Sequence, residues 1–375
     1  MKKALIISNK IRKIPGGAIE TVVLPLQELG FDVTWAANFN NIHESIENFP
    51  CNILRTESET NPFSHHNLIT RNIILDFLDK NKVDVIFCST PIGGLHGRLC
   101  GHKKHVPTII YQAHGFLFFK GGPRLGFVFK LIEKWLAKYT SAIITINHED
   151  FNNALLFKKI DKNKVFLVNG SGEDYSASSL SNEEKNAIKN DLKISHTDYV
   201  FISIGELNRN KNVIATVKAF NKFYDYKKQS KLIICGDGPK ARTINKYIKR
   251  HKLENNILML GYRTDVKKLI QISDCYVSTS FREGLSRTVG EAMCAGLPCI
   301  VSNKRGLSDL IDEKGGYLFR PNNPKEIGMC MNKIFKQQGN NTFSLHNKSK
   351  IKNYSSEKVV KQMKSILGEI LNEGK

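Results

Sequence analysis

The 375-residue chain is 41% hydrophobic and 24% charged, which excludes a disordered chain, a collagen and a disulfide knot and suggests two or three domains. Its 56 Lys and Arg against 35 Asp and Glu leave a formal net charge of +21, a field that attracts nucleic acid, anionic membrane or phosphorylated substrates without choosing among them. The eight cysteines form no C-x-x-C pair and mostly sit in apolar runs, so they read as small reduced core residues fitting a reducing cytosol, not as zinc or redox sites.

Met1-Lys2-Lys3 is followed by Ala4-Leu5-Ile6-Ile7, which ends at Ser8-Asn9-Lys10. That run is too short for a signal-peptide core and reads as a first strand. No apolar stretch approaches the ~20 residues that span a bilayer. The expectation is a cytosolic protein, at most peripheral on the inner membrane face. Short β-branched runs predict strands at 4–7, 33–36, 83–88, 108–111, 142–145 and 165–168. A second series follows at 199–204, 231–235, 257–260, 275–278 and 298–301. Helical patterns lie between most of them, as at 19–29, 66–78 and 213–224. Such alternation predicts parallel sheets covered on both faces.

Residues 169–184 are rich in Gly, Ser and acids, and apolar periodicity stops there. The expected division is 1–172, 173–354 and a final segment 355–375 that carries a basic amphipathic helix pattern. Open parallel sheets bind ligands beyond the carboxyl ends of their strands, so two of them predict a site in the cleft between domains.

The strongest motif is Phe281-Arg282-Glu283-Gly284-Leu285-Ser286-Arg287-Thr288-Val289-Gly290-Glu291-Ala292-Met293, after the strand 275–278. Glu283 falls in the loop after that strand. A helix beginning near Ser286 puts Glu291 within its first two turns. Two carboxylates from different elements can face one site. Gly284 admits a ligand close to the backbone, and the helix N-terminus offers free N–H groups to phosphate. This suits a polyhydroxylated, phosphorylated ligand. From spacing alone, two solvated glutamates or the carboxylates of a glycoside hydrolase fit as well.

Glu283, seven residues, then Glu291, followed by Ala292-Met293-Cys294-Ala295-Gly296-Leu297-Pro298, resembles the E-x7-E region of family-4 retaining glycosyltransferases of the GT-B fold. The resemblance extends to Ile204-Gly205-Glu206-Leu207-Asn208-Arg209-Asn210-Lys211-Asn212, Gly236-Asp237-Gly238-Pro239 and Leu260-Gly261-Tyr262-Arg263-Thr264-Asp265-Val266, and ends near Gly315-Gly316-Tyr317-Leu318-Phe319. The first half matches more weakly, at Pro15-Gly16-Gly17-Ala18-Ile19-Glu20 and Tyr111-Gln112-Ala113-His114-Gly115-Phe116. The latter, with Ile132-Glu133-Lys134-Trp135-Leu136 and Ile146-Asn147-His148-Glu149-Asp150, is similar to the bacterial exopolysaccharide and capsule branch.

The resemblance implies two doubly wound Rossmann-like domains facing a central cleft, an N-terminal acceptor domain and a C-terminal nucleotide-sugar domain. The last helix is then expected to cross back to the first domain. Glu291 would bind the ribose hydroxyls, and Glu283 the donor sugar's hydroxyls beside the backbone of Gly284 and Leu285. Lys211 would neutralise the diphosphate. The family places an Arg where this chain has Glu206, so Arg209 is expected to supply a second cation. Arg263 would lie near the base, and His114 near the donor sugar and diphosphate. Preorganised cations and N–H dipoles stabilise a leaving diphosphate, and a diphosphate oxygen can take the acceptor proton. The chain contains no Asp-x-Asp, so no metal and no other cofactor is expected.

Gly236-Asp237-Gly238-Pro239-Lys240-Ala241 also fits a dinucleotide fingerprint, with Glu254 loosely placed after it, but it sits mid-chain and not in a first βα unit. Gly16-Gly17 opens the helix at 19–29, where a glycine turn can receive phosphate or acceptor, or simply turn the chain. The stretch 116–139 alternates aromatics and leucines with lysines, and Arg124 precedes its helical part. It reads either as a surface for anionic lipid or, preferably, as a helix burying Phe127, Leu131, Trp135 and Leu136.

The reading is a metal-independent retaining hexosyl- or N-acetylhexosaminyltransferase. Its donor is a nucleotide sugar, a UDP-sugar by preference. Its acceptor is a lipid-diphosphate-linked saccharide of capsule, exopolysaccharide or O-antigen assembly at the anionic inner membrane surface. A nucleotide-sugar epimerase or a phosphorylase of similar shape is the rival enzyme. A nucleic-acid-binding protein is the rival from charge alone. The basic residues are spread over both halves without a recognition module, so no nucleic-acid partner is expected.

Overall fold

The computed structural model describes residues 1–11, 16–40, 49–122, 125–175, 179–224 and 229–372. Pro15 of the first glycine turn, Arg124 and the linker residues 176–178 lie outside the described residues. The chain forms two units. One is Met1–Asp174 with Tyr354–Lys375, and the other is Tyr175–Asn353.

The first unit is a seven-stranded sheet: β1 (Lys2–Lys10), β2 (Phe31–Asn38), β3 (Asn52–Arg55), β4 (Val85–Ser89), β5 (Thr108–Ala113), β6 (Ala142–Thr145) and β7 (Val165–Leu167). Their order is β3-β2-β1-β4-β5-β6-β7, and every pair is parallel. The second unit has β8 (Tyr199–Ile204), β9 (Ser230–Cys235), β10 (Ile257–Gly261), β11 (Cys275–Ser278), β12 (Cys299–Ser302) and β13 (Gly316–Phe319). Their order is β10-β9-β8-β11-β12-β13, again all parallel. Both are doubly wound Rossmann-like sheets, with the strand order reversing between β1 and β4 and between β8 and β11.

Continuous apolar runs drive this. Leu5, Ile7, Ile86, Ile110, Val200, Ile202, Ile233 and Ile300 are wholly buried, as strands covered on both faces require. Two strands lacked a sequence signal. β3 has only Ile53 and Leu54 as apolar residues and sits at the sheet edge. β13 opens on Gly316, which reads as a turn; here a Cβ would collide with the Cys299 carbonyl oxygen across the sheet. The helix expected at 19–29 begins three residues earlier, at Gly16, and passes through a π-turn, Ile19–Val23, just before Pro25. Proline lacks the N–H that a regular turn would use there.

The helix Pro91–Lys103 carries Gly93, Gly94, Gly97 and Gly101. A Cβ at Gly94 would collide with the Tyr111 ring, and one at Gly97 would lie 2.5 Å from the Cys88 side chain. This helix therefore rides unusually close to β4 and β5. Beside it runs the helix Gly126–Leu136, which corrects the core-packing expectation. Leu136 is buried, but Phe127 (66% exposed), Leu131 (48%) and Trp135 (46%) face solvent. Glu133 dictates the rotation. Its carboxylate pairs with the fully buried Arg98 at 2.7 and 3.3 Å, and the guanidinium lies 3.9 Å from the Tyr111 ring centroid. An ion pair drawn inward turns the apolar residues half a turn away outward.

All eight cysteines are free thiols, six of them buried. Burial pushes the Cys88 thiol up to about 12 and Cys100 up to about 11, which leaves them unreactive. Among the described residues no helix is long and apolar enough to cross a membrane.

Candidate active site

In the second unit, the loops leaving β8 and β11 meet at the point where the strand order reverses. After β8 the chain passes Gly205, with φ of +150°. A Cβ there would touch the Lys211 side-chain carbons at 3.4 Å, so the lysine stem lies along the glycine. Asn208 Oδ1 accepts from the Lys211 N–H at 2.9 Å, and Thr279 Oγ1 donates to the Lys211 and Asn212 carbonyls. The loop is thus fixed to the end of β11. The Lys211 ammonium then reaches Glu283 Oε1 at 2.6 Å.

Glu283 is held by its own backbone as well. Arg305 Nε donates to the Glu283 carbonyl at 3.1 Å, and Asn210 Nδ2 donates to the Arg282 carbonyl at 3.1 Å. A Cβ on Gly306 would meet the Gly284 carbonyl oxygen at 2.5 Å, so the loop after β12 supports the glutamate loop from beneath. Burial and the neighbouring Arg305 pull the Arg282 guanidinium below its ordinary range, against Glu283. Lys211 therefore pairs with the Glu283 carboxylate, Arg282 lies within its electrostatic reach, and Arg305 holds the Glu283 backbone carbonyl.

Ser286 precedes the helix Arg287–Ala295 in extended conformation, and its side chain makes no capping hydrogen bond. Glu291 lies in the second turn, buried, with Arg287 Nε 3.2 Å from its Oε1. Beneath these groups Tyr276 hydrogen-bonds Thr288 Oγ1 at 2.6 Å. Burial pushes its hydroxyl well up, the Thr288 bond opposes this, and Glu283 and Glu291 add to the rise. Both carboxylates thus lie within electrostatic reach of one phenol.

Ile204, Gly205, Glu206, Cys235, Gly236, Asp237, Tyr262, Arg263 and Val266 line a cavity of about 300 Å³ over β8, β9 and β10. Arg263 is clamped on Asp265 at 2.8 and 2.7 Å, which raises its pKa and lowers that of Asp265. Tyr262 stands largely exposed at the rim. Gly236 has φ of +141°, and a Cβ there would collide with the Gly205 carbonyl. A Cβ on Gly238 would meet Leu207 backbone atoms at 2.9 Å. These two glycines thus let the β8 and β9 loops pack together. The dinucleotide-like motif sits on β9, second in this unit. Arg209 is exposed in the Lys211 loop, and Leu285 is half-buried.

In the first unit, Gly16, Gly17 and His114 follow β1 and β5. A Cβ on Gly17 would lie 2.7 Å from the Ser171 carbonyl oxygen, whereas Gly16 faces open space. His114 Nδ1 stands 3.5 Å from Ser171 Oγ. Sequence reasoning missed Ser171, Asn210, Thr279, Arg305 and Gly306. The run Ser302-Asn303-Lys304-Arg305-Gly306 directly after the strand at 298–301 was the available signal for the last two.

Residues 184–357 match the family of glycosyl transferases group 1, and residues 19–147 match the glycosyl transferase 4-like family. The EpsD protein of Bacillus subtilis (strain 168) is 28% identical over 300 residues, 78% of this chain and 77% of that one. An Escherichia coli protein named UDP-Gal:alpha-D-GlcNAc-diphosphoundecaprenol alpha-1,3-galactosyltransferase is 28% identical over 256 residues, 65% of this chain and 64% of its own. Among solved structures, Anabaena HepE in complex with UDP and glucose superposes with a TM-score of 0.77 at 16% identity, covering 98% of this chain and 100% of that chain. That likeness bears on the fold, which is GT-B.

Proposed function

We propose, for a chain that is a glycosyltransferase by family in both units, that it moves a sugar from a UDP-sugar to a lipid-diphosphate-linked saccharide in cell-surface polysaccharide assembly. The observation that carries the reading is the Lys211–Glu283 pair at 2.6 Å, set where the second sheet reverses its order, beside the cavity of Arg263. Ligands of open parallel sheets bind at that point. Glu283 accepts from hydroxyls of the donor sugar, beside the Gly284 and Leu285 backbone. Lys211 and the N–H groups of the first helical turn after Ser286 take the diphosphate, with Arg209 as a further cation. Glu291 holds the ribose hydroxyls, exchanging its Arg287 contact for them. Arg263 and Tyr262 flank the base.

Departure of the nucleoside diphosphate builds negative charge on its oxygens. Fixed cations and N–H dipoles stabilise that charge without reorganising, so the reaction needs no metal. A diphosphate oxygen takes the acceptor proton, and the sugar is delivered with retention. Gly16 and Gly17 serve the acceptor in the first unit, and His114 keeps the donor-sugar and diphosphate role that the resemblance implies. The name of the Escherichia coli relative supports a diphosphate-lipid acceptor, and the UDP complex of the Anabaena protein supports the nucleotide. An acceptor of that kind puts the work at the anionic inner membrane face. The family matches do not favour an epimerase.

The test is thermal stabilisation by nucleotides and nucleotide sugars without metal, comparing wild type with Glu291→Ala. A ligand held at 100 times its Kd stabilises by about 2.7 kcal/mol. UDP should raise the melting temperature of wild type by several degrees and barely move the variant, and EDTA should change neither result. A shift by NAD or DNA alone defeats the reading.

A further inference from the structure

We propose that the outward face of the helix Gly126–Leu136 is a docking surface for an anionic lipid bilayer. The inference rests in part on the reading of a membrane-held acceptor, but its observations stand apart from the transfer site.

At 100° per residue, Phe127, Leu131, Trp135, Val128 and Ile132 fall within one arc of about 140°. All five are exposed, as is Leu125 just before the helix. The opposite side, Gly126, Glu133 and Leu136, is buried. The arc is therefore not a core face left loose, because the Arg98–Glu133 pair locks the helix in this rotation. Beside it lies a surface hollow of about 720 Å³, lined in part by Phe119, Lys120, Phe127, Lys130 and Leu156. Leu156 comes from another segment and is also largely exposed. Exposed apolar area on two neighbouring segments marks an interaction site more than scattered single residues do.

Charge selects the partner. Lys130 and Lys134 border the arc on the Phe127 side, and Lys138 Nζ sits 5.1 Å from the Trp135 ring centroid. Lys158 and Lys159 follow Leu156 and are exposed. The acidic side chain at the hollow, Glu149, accepts from the Lys120 backbone N–H at 2.7 Å. Glu133 points inward to Arg98. An apolar strip bordered by lysines complements acyl chains beneath anionic headgroups, with tryptophan at the interface. A second copy would bring the same lysines against these, in a chain of net charge +21.

The test uses the full chain and vesicles of phosphatidylcholine, alone or with phosphatidylglycerol, with neither donor nor acceptor present. The chain has two tryptophans, and Trp35 is buried against Ser8. A blue shift of emission on vesicle addition therefore reports Trp135. We expect co-sedimentation and a blue shift with the anionic vesicles, about tenfold weaker on phosphatidylcholine. Each lysine removed among Lys130, Lys134 and Lys138 should weaken binding about fivefold. Phe127→Ser with Leu131→Ser should abolish the shift while the UDP-dependent melting shift stays as in wild type. Equal binding to both vesicles, no binding, or an unchanged F127S/L131S variant overturns the proposal. So does a wild-type dimer in solution that the same variant dissociates. Failure of UDP to bind while vesicle binding persists would sink the transferase reading alone. Transfer to a soluble acceptor without vesicle binding would sink only the docking surface.

Discussion

Lys211 and Glu283 each need the other. A half-buried lysine beside a carboxylate at 2.6 Å is held in one place, and preorganisation of that kind is what the proposed diphosphate role of Lys211 requires of a cation. On the proposed reading, Lys211→Ala should lower kcat by about 10²–10³, measured by UDP release from the best donor. His96 gives a different, pH-dependent handle. It is buried, and burial first and Arg71 second pull its pKa down to about 4. The unfolded chain then binds its proton more readily than the folded one below pH 6.5. Stability from the neutral ring is complete above 6.5 and is lost as pH falls towards 4, by about 3 kcal/mol in all. His96→Asn should flatten the acid limb of a melting-temperature profile in that window. At this scale the sequence was informative where residues stand in one motif, as Glu283, Gly284 and Glu291 do. For Arg305 and Gly306 it offered only the run Asn303-Lys304-Arg305-Gly306 after a strand, and nothing local ties that run to the glutamate loop it reaches 22 residues away.

The helix Gly126–Leu136 shows what periodicity can and cannot tell. Its apolar residues and its single glutamate were all visible, and spacing alone permits either side to face the sheet. The decision belongs to Arg98, 35 residues earlier, on a glycine-lined helix that brings its guanidinium under Tyr111. Taking one partner from a buried pair leaves a charge without compensation, at a cost of about 3–5 kcal/mol. Glu133→Gln should therefore lower stability by that amount in urea unfolding. Arg98→Met on the same background should recover part of it, because both charges are then gone. If the double variant is no better than the single, the pair is not what orients the helix. The strands were easier, since most are uninterrupted β-branched runs. β3 and β13 escaped because an edge strand needs little apolar surface and because a glycine inside a strand is indistinguishable from one in a turn until the neighbouring backbone is seen.

At the scale of the molecule, the two sheets share one order over six strands, to which the first adds β7, since both must solve the same problem of covering a parallel sheet on two faces. The ends of the chain add an asymmetry. The helix Ser356–Asn372 belongs to the first unit although it follows the second in sequence. Val359, Met363, Leu367 and Ile370 enter the core formed by Val22, Val23, Leu26 and Phe31. Gln362 Oε1 accepts from the Asn169 N–H at 3.1 Å, and Lys364 pairs with Glu28 at 2.7 Å. Each buried apolar side chain is worth about 1.5–3 kcal/mol, so losing four removes much of the ~5–15 kcal/mol that holds a domain together. Truncation after Ser355 should consequently unfold the first unit and spare the second. Calorimetry should then show one surviving transition that UDP still raises. Loss of both transitions would mean that the second unit depends on the first for its own stability. Survival of both would mean that the four side chains contribute far less than their burial implies.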